Sequence, residues 1–303
     1  MSNLFKSKPA KLLLAFFLIY FIWGSTYLAI RYAIETIPPF LMAGTRFSLA
    51  GILLYCLMRL SGSPNPSLKQ WGNLWIVGTF LFLGGNGLVV WAELHITSGI
   101  AALLVSLLPL WMITLDWLWA GGRRPTLRAI GGISLGLAGV VILLDPVEIA
   151  STDIHISGAL TVILASLLWA IGSIYSKKIE QPQSIFISAA CQMTGGGFSL
   201  LMVSLFLGEW PQFNLTDISL VSLSAFFYLL VFGSIIAISS YVWLLKNASA
   251  ASVSTYAFVN PAVAIFLGWL IAGEEINLHI ISGAVIILIG VALVITAHKT
   301  KKS

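Results

Sequence analysis

The chain is poor in charge. Only 9% of its 303 residues are Asp, Glu, Lys or Arg, whereas 58% are hydrophobic and the mean hydropathy is +0.98. A soluble domain carries about 25% charged residues, so that class is excluded. Cysteine is scarce as well. Cys56 and Cys191 both lie in apolar runs, where a thiol behaves as a small hydrophobe, and two are too few for a disulfide framework or a metal site. No metal and no cofactor is expected. The four histidines, at 95, 155, 279 and 298, fall near loops or chain ends, which argues against a buried imidazole relay. There is no G-x-x-x-x-G-K-[ST] phosphate loop and no H-E-x-x-H motif, so the sequence carries neither ATP-hydrolysing nor zinc-protease machinery. It also lacks an intramembrane pair of aspartates. Its longest segment between apolar runs is about a dozen residues, too short for a receptor or scaffold with large extramembrane parts.

What remains is a succession of apolar runs. A helix needs about 20 residues to cross a ~30 Å hydrocarbon core. Runs of that kind fall near 11–31, 39–59, 71–93, 98–120, 127–144, 157–177, 184–208, 219–245, 251–272 and 278–297. Helices are expected because a backbone in lipid must satisfy its own hydrogen bonds. The expected class is therefore an all-α polytopic membrane protein with ten spans. Lys6, Lys8 and Lys11 before "LLLAFFLIYFIW" imitate a signal peptide, but with no small-residue cleavage site the reading is an uncleaved first span.

The charges set an orientation. With a cytoplasmic N-terminus, all but Arg31 and Arg46 of the 16 Lys and Arg lie on the cytoplasmic side. Glu35, Glu93, Asp145, Glu148, Asp153, Glu209, Asp217, Glu274 and Glu275 gather on the other. This is the positive-inside asymmetry, with both termini cytoplasmic. The net charge of +5 is thus a topology signal, and no nucleic-acid partner is expected.

The two halves resemble each other. "WAELHITSGIAALLVSLLPLWMITLDWLWAGG" lies over "WLLKNASAASVSTYAFVNPAVAIFLGWLIAGE" at one constant offset. Trp91 then meets Trp243, Pro109 meets Pro261 and Trp117 meets Trp269. Earlier, Trp23 aligns with Trp169 and Arg31 with Lys177. Five spans per half is an odd number, so the halves, residues 1–149 and 150–303, enter the membrane from opposite sides. The reading is an inverted-topology repeat, an architecture that places binding sites between the repeats.

The segments "IWGSTYLAIR", "PPFLMAGTRFSLAG", "GNGLVVWAELHITSGIAALLVSLLPL" and "FGSIIAISSYVWLLKNASAASVSTYAFVNPAVAIFLG" resemble the drug/metabolite transporter superfamily, specifically its EamA-type ten-helix exporters. The resemblance spans nearly the whole chain. It implies alternating-access export of amino acids or related small metabolites and drugs across a bacterial inner membrane. It also implies a central cavity lined by helices 1, 3, 4, 6, 8 and 9, with helix 2 peripheral. Family members often place an acid after the glycine ending helices 4 and 9; here Glu274 fits and Gly122 does not.

Several residues are candidates for the site. Arg46 sits a third of the way into the second span, where a cation is costly and faces the bundle interior or water. It either binds or braces a carboxylate or is a structural, carbonyl-paired cation, and it is grouped with structural and gating residues. Glu93 is a cavity carboxylate, binding an amine or a coupling proton, or a solvated loop acid. Asp116 reads as a partner for a basic loop residue. Trp23, Trp111 and Trp169 lie deeper than an interfacial belt and suit amphipathic solutes; Tyr27, Tyr175 and Tyr256 add hydroxyls; each alternatively serves packing. Asn86 and Asn260 either contact substrate or bond between helices. Pro109 and Pro261 sit mid-span, where the carbonyls of Val105 and Ala257 lose their donors, and irregular backbone at that depth points to the wall of a path. Gly132 and Gly136 form a small-xxx-small face, within one chain or between copies. The partners expected are a small-molecule substrate and the bilayer, with proton-coupled or facilitated transport by a monomer or homodimer. The alternatives are a carrier of another solute class (nucleotide-sugar, sugar or lipid-linked) and an intramembrane enzyme.

Overall fold

The computed structural model describes residues 8–96, 101, 104–119, 121, 124–143, 156–272 and 278–297. Gly122 and Glu274, with the loop acids Asp145, Glu148, Asp153 and Glu275, lie outside these residues. The described chain is helical, without a strand. We label its main helices α1 (Lys8–Ala33), α2 (Pro39–Leu60), α3 (Leu68–Ala92), α4 (Leu108–Leu118), α5 (Leu127–Leu143), α6 (Ile156–Lys178), α7 (Ile185–Phe206), α8 (Leu220–Asn247), α9 (Tyr256–Ala272) and α10 (Leu278–Ala297). Six of them (α1, α2, α3, α6, α7 and α8) are long and apolar enough to cross a membrane. Shorter apolar stretches run over Leu108–Leu118, Leu127–Ile142 and Ile281–Val294.

The molecule is arranged for an apolar solvent. Leu13, Phe17, Leu53, Leu164, Phe227 and Leu288 stand exposed, while Arg46, Ser173, Gln192, Ser234, Thr255 and Asn260 are buried. Contiguous exposed apolar surface on this scale is foreign to a water-soluble monomer. Serines start the helices where the chain turns: Ser67 closes a capping box with Gln70, and Ser184, Ser219 and Ser249 accept from the first turns they precede.

The packing follows one scheme. Helix α2 runs along α7, and α5 along α10. Helix α1 lies against α8 and α9, and α6 lies against α3 and α4. Glycine makes these approaches possible where backbones touch. A Cβ on Gly196 of α7 would sit 2.3 Å from the carbonyl oxygen of Gly78 in α3. One on Gly132 of α5 would sit 2.9 Å from the Gly290 oxygen of α10. The small-residue face of α5 therefore packs within the chain.

Two features were absent from the sequence reading. The middles of α3 (Thr79–Gly87) and α8 (Leu229–Ile236) are π-helical, a wider winding frequent at functional sites. The second feature is a cap supplied at long range. Glu209 accepts from the backbone N–H groups of Phe40 (3.1 Å) and Leu41 (2.7 Å) at the start of α2, and from the Ser204 hydroxyl (2.7 Å). A carboxylate at a helix N-terminus satisfies orphan donors and complements the dipole. Glu209→Ala should therefore destabilise the protein by about 1–3 kcal/mol in detergent unfolding. The same change at exposed Glu35 should stay within about 0.5 kcal/mol.

Candidate functional site

A cavity of about 90 Å³ opens where α1, α2, α3, α4, α6, α8 and α9 converge. Its centre is aromatic. Trp23 and Trp169 meet edge to face with ring centroids 5.7 Å apart, and Tyr256 stands 4.6 Å from Trp23. Tyr241 completes the cluster from α8, at 5.2 Å from Trp23 and 5.7 Å from Trp169.

The polar edges of these rings are fixed by the surrounding helices. The Trp23 indole N–H donates to the Gly233 carbonyl (3.2 Å), within the π-helical turn of α8. The Trp169 N–H donates to the Tyr241 hydroxyl (2.9 Å), which also bonds Ser173 (2.5 Å). Buried indoles and phenols need such partners, and meeting them holds the rings still. Gly85, in the π-helical part of α3, lets the cavity exist: a Cβ there would lie 2.5 Å from the Trp169 ring.

The residues singled out from sequence divide into three groups. Trp23, Tyr27, Asn86, Tyr256 and Asn260 line the cavity. So does Arg46, which brings α2 into a wall expected to exclude it. Its guanidinium donates to Asn86 Oδ1 at 3.0 Å and lies 4.1 Å from the centre of the Phe47 ring. Turned so that its nitrogen faces the α1 and α9 backbones, the orientation that its neighbours' acceptors require, the Asn260 amide donates to the carbonyls of Tyr256 (2.9 Å) and Tyr20 (3.3 Å). This amide thus serves interhelical bonding at the cavity's edge.

A second group supports the wall from behind. Trp111 donates to Ser166 Oγ at 3.1 Å, and Ser166, not Trp111, faces the cavity. Neither proline lines it, although Leu108 and Asn260 beside them do. The mid-helix expectation for Pro109 is corrected: a turn at Ser106–Leu107 interrupts the chain, and Pro109 falls in the first turn of α4. There its missing N–H costs little. Pro261 does lie inside α9, and the break in that half comes earlier, at Thr255.

The third group stands apart from the cavity. Tyr175 stacks on Trp119 (6.1 Å, 8° between planes) in the seam between α6 and α4. Beside it Lys177 pairs with Asp116 at 2.7 Å, and Lys178 donates to the Trp119 carbonyl and lies 5.1 Å from that ring. This basic end of the α4–α6 seam is therefore sealed by an ion pair, a stack and a cation–π contact. Glu93, just past α3, is not among the lining residues either; its Oε1 is buried without a hydrogen-bond partner among the described residues.

Thr26, Ser166, Gly85 and Tyr241 were missed. Nothing in a single sequence separates one buried serine or tyrosine from another. Gly85 carried a signal in the run "GGNG", since glycine where two elements approach closely is the usual reason for such runs.

Comparison with known proteins places this architecture. The EamA-like transporter family matches residues 10–145 and 156–296. The uncharacterized inner membrane transporter YedA of Escherichia coli K12 is 38% identical over 87% of this chain and 83% of its own. The uncharacterized transporter YvbV of Bacillus subtilis is 27% identical over 100% and 96%. Protein PagO of Salmonella typhimurium is 27% identical over 93% and 92%. One solved crystal structure superposes with a TM-score of 0.76 at 17% identity, covering 93% of this chain and 96% of that one.

Proposed function

The chain belongs to the EamA-like transporter family, and from its place there as a membrane transporter we propose that it is a secondary exporter working by alternating access. The substrates in this reading are amino acids or related small metabolites, carried outward across a bacterial inner membrane with both termini cytoplasmic. Ten spans form two five-helix inverted repeats, residues 1–149 and 150–303.

The helix packing supports this arrangement. Exchange each helix for its counterpart five places on, and the contact of α1 with α9 becomes that of α6 with α4. The contact of α1 with α8 becomes that of α6 with α3. Helices α2 and α7 pair with each other, as do α5 and α10, which is what a two-fold axis in the membrane plane requires. The π-helical segments also fall in counterpart helices, α3 and α8. The observation that carries the proposal is the cavity at that axis, where counterpart Trp23 and Trp169 meet.

In this reading the Asp116–Lys177 pair closes the cytoplasmic end between the halves, and the cavity communicates with the outer face. Opening inward separates α4 from α6. Reconstitution tests the function: proteoliposomes preloaded with an amino-acid mixture should lose particular members faster than protein-free vesicles. Retention of the whole mixture, with and without a pH gradient, would refute export of this class.

A further inference from the structure

We infer that the cavity grips its solute by a carboxylate at Arg46, with the solute's apolar part against the Trp23–Trp169–Tyr256 wall. This rests on reading the cavity as the transport site and adds what the solute must carry.

Arg46 is 2% exposed, and it is the one charged side chain among the described residues that line the cavity. Among the described residues its single side-chain hydrogen bond goes to a neutral amide, Asn86. Its Nε is buried without a partner among the described residues. The ion pairs of the described residues, Lys69–Glu180 and Asp116–Lys177, do not involve it. A buried cation is stable when paired and fully hydrogen-bonded, and this one is neither. The other polar lining groups, including Thr26, Ser166 and Asn260, are neutral. The cavity therefore carries one uncompensated positive charge, presented on a planar fork of donors that matches a carboxylate's two oxygens.

Asn86 is the positioning residue. Its Oδ1 holds one arm of the guanidinium and leaves the remaining terminal donors for the solute. The aromatic walls supply the complementary half of the site, since rings with fixed polar edges present apolar faces to a solute's body.

Three probes of similar shape separate the groups: 3-phenylpropionate, L-phenylalanine and L-phenylalaninamide, with inorganic phosphate as the alternative anion. Thermal unfolding of the purified full chain in uncharged detergent reads their binding. The two carboxylates should raise the midpoint, and the amide and phosphate should not. Arg46→Gln should weaken the response to both carboxylates about tenfold or more, with Arg46→Lys in between. Asn86→Asp places a carboxylate on the guanidinium from within. It should abolish the response while leaving the unliganded midpoint no lower than wild type.

An amide that stabilises as well as the acids, a phosphate response exceeding theirs, or no response to any probe overturns the inference. So does a Gln variant that responds like wild type, which reduces Arg46 to a brace for Asn86. The exporter reading stands or falls separately: wild-type proteoliposomes that expel the amide would keep export and remove the carboxylate site.

Discussion

Valine at Gly196 should leave little extractable folded protein, whereas valine at Gly131 should be silent. The Cβ of Gly196 would fall 2.3 Å from the Gly78 carbonyl oxygen and 2.6 Å from the Phe82 ring. Phe82 is fully buried, with its ring 4.3 Å from that of Phe47, and the Gly78 backbone cannot yield without moving α3 off α7. Overpacking that side chains can absorb costs ~1–3 kcal/mol, and here the helices themselves must part. Helix association in lipid rests on close packing, not on a hydrophobic drive, so the lost contact has no substitute. Gly131 has nothing within 4 Å of its built Cβ. Both glycines lie in apolar helices, so the contrast separates geometry from composition. The fraction of monodisperse protein after detergent extraction measures it, and equal yields from the two variants would show that the α3–α7 contact does not hold the fold.

The second large effect is on flux. Gly85→Leu should reduce solute efflux by about tenfold or more, a barrier increase of at least ~1.4 kcal/mol. The added side chain begins 2.5 Å from the Trp169 ring and can only extend into the cavity or push that ring into it. The neighbouring cavity absorbs the displacement, so the variant should still insert and purify. Gly85→Ala should be intermediate, because one methyl requires a smaller shift of the ring. Wild-type efflux by the leucine variant would mean that solute passes elsewhere.

Much of this candidate site is legible in the sequence. Aligning the halves brought Trp23 and Trp169 to equivalent positions, and the structure sets the two rings in contact at the cavity's centre. Arg46, Asn86 and Asn260 drew notice because polar groups at membrane depth need partners, a rule that does not depend on knowing which partners. Other features were illegible for specific reasons. Tyr175 lies six residues beyond Trp169, about 9 Å further along the helix at 1.5 Å per residue, which carries it from the cavity to the basic end. Burial alone could not set that distance against the cavity's depth. Arg46 was assigned to a peripheral helix, and only its bond to Asn86 in the π-helical stretch of α3 shows how it reaches inside. The π-helical windings leave no mark in an all-apolar run, because hydrophobic periodicity is informative only when one face is polar. The cap from Glu209 joins residues far apart in sequence, where no local capping rule reaches.

Accessibility of the cavity tests the central claim most directly. In a chain with Cys56 and Cys191 replaced, Val89→Cys puts a thiol of similar size on the cavity lining. With the Asp116–Lys177 seam closing the cytoplasmic end as proposed, a membrane-impermeant thiol reagent should modify it from the outer face, and a transported solute should slow the reaction. A Val89→Cys thiol unreactive from outside, or one that reacts at the same rate with and without that solute, would contradict a transport path through this cavity.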